Sequence, residues 1–120
     1  VAKILVVDDS EIVCELFALQ LRAAGHVVHM AENGVLARQA AMRERPDVIV
    51  SNVDMPLLNG FELMAALRED AAARRIPIIF VSSNTDYARK AKDLGAAAFL
   101  GKPVSADRLR SVVAAHLPLQ

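Results

Sequence analysis

Four apolar runs in this chain lead into residues that can do chemistry. Lys3–Val7 runs into Asp8-Asp9, Val48–Val53 carries Asn52 and is followed by Asp54, Ile78–Ser82 leads into Ser83, and Ala97–Gly101 leads into Lys102-Pro103. Adjacent carboxylates repel each other and gain little as core or turn residues. Oxygen donors gathered in this way suit a hard divalent cation, above all Mg²⁺, which takes carboxylates together with water and phosphate oxygen. A lysine and a hydroxyl beside such a cation can contact the oxygens of a phosphoryl group. Asp-Asp alone is more often a solvated turn or helix cap. The three other run ends make it part of a site.

The elements that must position these residues follow from periodicity. The five runs Lys3–Val7, Val27–Ala31, Val48–Val53, Ile78–Ser82 and Ala97–Gly101 are short, and the first, third and fourth are nearly continuous and β-branched, as strands covered on both faces should be. Helical stretches alternate with them. Glu11–Ala24 sets Glu11, Glu15 and Arg22 against Val13, Leu16, Phe17 and Leu21, with Gly25 as its stop. Asn33-Gly34 turns into Val35–Glu44, which Pro46 ends. Gly60–Arg68 and Asp86–Leu94 are the next two, and Ser105 caps a last helix running to about Leu117. This (βα)₅ pattern predicts one domain over 1–120, a doubly wound parallel sheet with helices on both faces in a three-layer α/β/α sandwich. Ligands of such sheets bind beyond the carboxyl ends of the strands, where the polar residues fall.

The whole chain excludes several classes. Its 54% hydrophobic content argues against disorder, and Lys plus Arg equals Asp plus Glu at 14 each, so no global field draws it to nucleic acid or an acidic membrane. No run approaches the roughly 18 apolar residues needed to span a bilayer. Cys14 is alone and set among apolar residues, which reads as a buried structural thiol. With one cysteine and no signal-peptide pattern, the expected compartment is the cytoplasm.

The segments VVDDS at 6–10, NVDMP at 52–56 with Asn59-Gly60, VSS at 81–83 and GKP at 101–103 resemble bacterial response-regulator receiver domains over essentially the whole chain. The resemblance implies a flavodoxin-like sheet of order 2-1-3-4-5. It implies Asp9 as a direct Mg²⁺ ligand, Asp8 as a more water-mediated one and the backbone carbonyl of Asp54 as another. Ser82 matches the hydroxyl that contacts a phosphoryl oxygen and moves on activation, Lys102 the lysine that pairs with the phosphoryl group, Phe99 the switch aromatic, and Lys102-Pro103 a cis peptide bond. The implied partners are a histidine kinase or phosphotransfer protein and an output domain or protein. Output is expected through the fourth helix, fifth strand and fifth helix, a face carrying Arg89, Lys90, Phe99, Asp107, Arg108 and Arg110.

One residue departs from the pattern. The phosphoaccepting aspartate of receivers lies three residues before the Met of Met-Pro, and here that position is Asn52. A carboxylate oxygen can attack a phosphohistidine, whereas a neutral carboxamide has no comparable nucleophile and is only a weak metal ligand. Asp54 would share a strand face with Asn52, but the family uses its backbone oxygen. The expectation is a phosphorylation-dead receiver with a weakened Mg²⁺ site. Retention of Asp8, Asp9, Ser82 and Lys102 favours an engineered exchange of Asp for Asn. The alternative is a natural atypical receiver that signals by binding alone, and a remote one is a small Mg²⁺-dependent phosphohydrolase, which would need a nucleophilic Asp on the first strand and a second two positions on. The expectation is therefore not an enzyme. Ala96-Ala97-Ala98 precedes Phe99 where winged-helix regulators carry an acidic pair used in dimer salt bridges, which predicts a monomer in isolation. His26, His29 and His116 lack metal-ligand spacing, Met30, Met42, Met55 and Met64 read as core fillers, and Arg74-Arg75 reads as a solvated loop.

Overall fold

The computed structural model describes residues 2–118, so both ends of the expected 1–120 domain lie outside the described residues. Its elements run β1 (Lys3–Val7), α1 (Glu11–Ala23), β2 (Val27–Ala31), α2 (Gly34–Glu44), β3 (Val48–Ser51), α3 (Gly60–Arg68), a 3₁₀ turn (Ala73–Arg75), β4 (Ile78–Ser82), α4 (Tyr87–Asp93), β5 (Ala98–Gly101) and α5 (Ala106–Ala115). All five strands are parallel, in the order β2-β1-β3-β4-β5. This is the flavodoxin-like α/β fold.

Two apolar layers flank the sheet. Ile4, Val6, Val48, Val50, Ile79 and Val81 point to the side covered by α1 and α5, where Phe17, Leu21, Leu109 and Val113 meet them. Leu5, Val7, Ile49 and Phe80 point to the other side, against Ala37, Ala41, Leu63, Met64 and Leu67 of α2 and α3 and Ala91 of α4. The period-2 alternation of strands thus divides the β-branched runs between two cores.

Side-chain caps start four of the five helices. Ser10 accepts from Val13 N at 3.3 Å, Asn33 from Leu36 N at 2.8 Å and Ser105 from Arg108 N at 3.1 Å, while Asn59 and Glu62 form a reciprocal capping box. Asp86, ahead of α4, makes no such bond. Gly34 is required where α2 starts, because a Cβ there would lie 2.0 Å from the Leu58 carbonyl oxygen.

Several expected boundaries shift. β3 stops at Ser51 and not Val53, β5 starts at Ala98, α1 stops at Ala23, α4 spans Tyr87–Asp93, and α5 ends at Ala115, short of Leu117. α2 starts one residue earlier, at Gly34, and Arg45 turns left-handed with φ 50° just before Pro46. Arg74 and Arg75 are solvated as expected, and the segment that carries them ahead of β4 is a 3₁₀ turn. Leu16 is exposed because the inward stripe of α1 is Cys14, Phe17, Ala18 and Leu21, and Leu16 lies about 100° around the helix from Phe17. Met30 is also exposed and no core filler, since β2 is the edge of the sheet.

Candidate functional site

Register brings the strand ends together. Val7 pairs with Ser51, and the next residue, Asn52, donates its N–H to the Val7 carbonyl at 2.8 Å. Ser82 pairs with Gly101, and Lys102 N donates to the Ser82 carbonyl at 2.9 Å. Parallel strands end on one side, so Asp8, Asn52, Ser82 and Lys102 converge there.

The two adjacent aspartates have different surroundings. Asp8 is buried, with 2% of its surface exposed; its Oδ1 accepts from Ser10 N at 2.9 Å and its Oδ2 from Lys102 Nζ at 2.9 Å. A buried carboxylate needs such partners, since an unpaired charge in a dry interior is strongly disfavoured. Asp9 is exposed and open to solvent. One carboxylate is therefore locked to the lysine, and the other faces solvent.

Asn52 closes the gap beside Asp9. Its Oδ1 accepts from Val53 N at 2.9 Å, which fixes the orientation of the amide. Its Nδ2 then faces two acceptors, Asp9 Oδ1 at 3.2 Å and the Asp54 carbonyl at 3.0 Å. Both acceptors are hard oxygens of the kind that bind Mg²⁺. With two carboxylates and a carbonyl the donor set fits such a cation in kind, but the amide N–H bonds satisfy two of its members internally. Among the described residues, no three His, Cys, Asp or Glu side chains form a metal-holding group. Gly60 lies behind Asn52, where a Cβ would come within 2.4 Å of the Asn52 carbonyl oxygen.

The Asp54 side chain does not share a strand face with Asn52, because the strand has ended at Ser51. Its carboxylate accepts from the Tyr87 hydroxyl at 2.8 Å, and this bond pushes the Tyr87 phenol above its ordinary pKa. Tyr87 is the neighbour of the site that sequence reasoning missed. Its ring packs edge-on against Phe61 at 5.5 Å, Phe61 packs against Phe80 at 5.0 Å, and Lys90 Nζ stands 4.9 Å from the Phe61 ring centre. A signal existed in its being the only tyrosine, at the start of a helix that follows a site strand.

The remaining site residues are placed as follows. The Ser82 side chain is buried and its Oγ accepts from Asn84 N at 3.0 Å. Phe99 is half-buried against the core on the α2–α4 side. The Lys102–Pro103 peptide bond is cis. Cys14 is buried, and burial, with a lesser contribution from the Asp8 charge, raises its thiol pKa.

A family model described as the response regulator receiver domain matches residues 4–114. The chain belongs to this family. The receiver is 37% identical over 118 residues to the protein PilH of Pseudomonas aeruginosa, an alignment covering 97% of this chain and 98% of that one. It superposes on the chemotaxis response regulator CheY4 of Vibrio cholerae with a TM-score of 0.89, at 32% identity and covering 97% and 98% of the two chains. It also matches the receiver domain of the sensor histidine kinase PA1611 from Pseudomonas aeruginosa, with a TM-score of 0.88 at 26% identity, covering 96% of each chain. That structure has a magnesium ion coordinated in its active-site cleft.

Proposed function

We propose that this receiver serves a two-component or phosphorelay response regulator in which Asn52 stands at the phosphoacceptor position, leaving the chain as written unable to take a phosphoryl group. One observation carries the reading. The Asn52 side chain lies at the end of β3 beside the Asp9 carboxylate and the Asp54 carbonyl, and it offers a neutral amide where the chemistry needs a nucleophilic carboxylate oxygen. Asp8, Asp9 and the Asp54 carbonyl would hold Mg²⁺, whose chemistry is to neutralise charge on phosphoryl oxygens. Lys102 and Ser82 contribute a fixed cation and a hydroxyl for the same oxygens. The cognate donor is a histidine kinase or phosphotransfer protein, and output passes through α4, β5 and α5 to another domain or protein, with no direct contact to nucleic acid or membrane. The workplace is the cytoplasm.

The complete set of Asp8, Asp9, Ser82 and Lys102 around a single near-isosteric exchange favours an engineered Asp-to-Asn form. A natural receiver acting unmodified as an interaction module is the second reading, favoured by the way Asn52 uses both ends of its amide in hydrogen bonds. The codon at position 52 in the source gene separates the two. The phosphoryl claim is tested by exposing this chain and its Asn52→Asp form to Mg²⁺ and acetyl phosphate. In the variant a carboxylate oxygen attacks phosphorus, the bond to acetate breaks, and acetate leaves as an acyl phosphate forms. Intact mass should show the adduct on Asn52→Asp and none on the parent. An unmodified variant overturns the reading, and a parent labelled at Asp54 overturns the assignment of the position.

A further inference from the structure

We infer that Tyr87 is a positioning residue for the acidic site, anchoring the Asp54 side chain so that the Asp54 carbonyl stays aimed at the cluster formed with Asp9 and residue 52. The inference rests on the receiver reading for the identity of the cation, but its geometry stands alone. Asp54 belongs to no helix or strand; it sits in the irregular segment between β3 and α3. Nearby, Leu57 carries φ 71° on a non-glycine residue, so this segment is held in a conformation that its own residues do not favour. Two bonds hold Asp54 from opposite ends: its carbonyl accepts from Asn52 Nδ2 at 3.0 Å, and its carboxylate accepts from the Tyr87 hydroxyl at 2.8 Å.

When residue 52 is a carboxylate it cannot donate, and the first of these bonds is lost. Tyr87 is then the remaining side-chain tie on Asp54 among the described residues. The tie has a firm base, because the Tyr87 ring is seated edge-on at 88° to Phe61, and Phe61 is packed in turn on the fully buried Phe80. It also works in the other direction. α4 has a single buried residue, Ala91, and no side-chain cap, so the bond from Tyr87 is a substantial part of what holds its first turn to the rest of the molecule. A cation drawing on the Asp54 carbonyl therefore acts on α4 through one residue.

The test has two arms. In the chain as written, amide hydrogen exchange of the α4 residues is compared among the parent, Tyr87→Phe, Asp54→Ala and the double variant. Loss of one charge-assisted bond at a partly exposed position should speed α4 exchange about fivefold in either single variant. The double variant should show no further gain, and the single tyrosine, in a chain without tryptophan, should brighten when Asp54→Ala removes the carboxylate from its hydroxyl. In the second arm Mg²⁺ is titrated calorimetrically into Asn52→Asp and into Asn52→Asp/Tyr87→Phe. The expected result is affinity about fivefold weaker without the hydroxyl. Additive effects in the first arm, or equal Mg²⁺ affinities in the second, overturn the inference. If Asn52→Asp binds no Mg²⁺ at all, the receiver reading of position 52 falls and takes the cation role of Tyr87 with it. The first arm still decides whether the tie to α4 exists.

Discussion

An amide at the end of β3 does two things that a carboxylate there would not: it donates to Asp9 and it donates to the Asp54 carbonyl. Replacing it by aspartate converts both attractions into repulsion between like charges and lone pairs. Asn52→Asp should therefore be less stable than the parent in the presence of a chelator. On adding Mg²⁺ it should gain about 2.7 kcal/mol when the ion is at a hundred times its dissociation constant, and the parent should gain less. Urea unfolding with and without Mg²⁺ measures both terms, and an equal Mg²⁺ response of the two proteins would place residue 52 outside the cation's reach. Lys102 poses the opposite case. Its ammonium, with a side chain 22% exposed, partners a carboxylate that is nearly fully buried. Lys102→Ala should cost about 3 kcal/mol by leaving Asp8 charged and half-satisfied. Lys102→Ala in an Asp8→Asn background should cost much less, and urea midpoints for the four proteins give the coupling directly.

At the scale of elements, α3 approaches the end of β3 so closely that its first residue has no room for a side chain. A methyl on Gly60 would meet the Asn52 carbonyl oxygen at 2.4 Å, Phe80 Cε1 at 2.9 Å and Val53 Cα at 3.0 Å. Two of these three are backbone atoms, which cannot swing aside. Gly60→Ala should destabilise the domain by about 3 kcal/mol or more, at the upper end of overpacking costs, and a thermal melt checks it. Strand ends were readable because each apolar run breaks into polar residues at the same side of the sheet, so Asp8, Asp9, Asn52, Ser82 and Lys102 could be assembled without coordinates. The last helix start was readable because Ser105 is a capping residue, and the structure adds Ser10, Asn33 and Asn59 as caps of α1, α2 and α3. The direction of the Asp54 side chain was not readable, since it depends on β3 stopping two residues early and on Tyr87 arriving from a helix 33 positions along the chain. Nor was the exposure of Met30, which depends on β2 being the edge of the sheet.

At the scale of the molecule, the expected output face offers no acidic pair beside Phe99, where Ala96, Ala97 and Ala98 are half-buried. The domain should sediment as a monomer at micromolar concentration, and a tight dimer that weakens with salt would contradict that expectation. The strand order has one more consequence, which concerns synthesis. β1 lies second in a sheet whose last-made strand, β5, forms the far edge. The counter-ion of Asp8 is therefore translated 94 residues after Asp8 itself. Until β5 docks, the carboxylate just past the end of β1 must keep its water, so the carboxyl side of the nascent sheet cannot dry out early. A chain arrested before Lys102 should stay open at that side and sensitive to proteases, and it should close only once the final strand delivers the ammonium group.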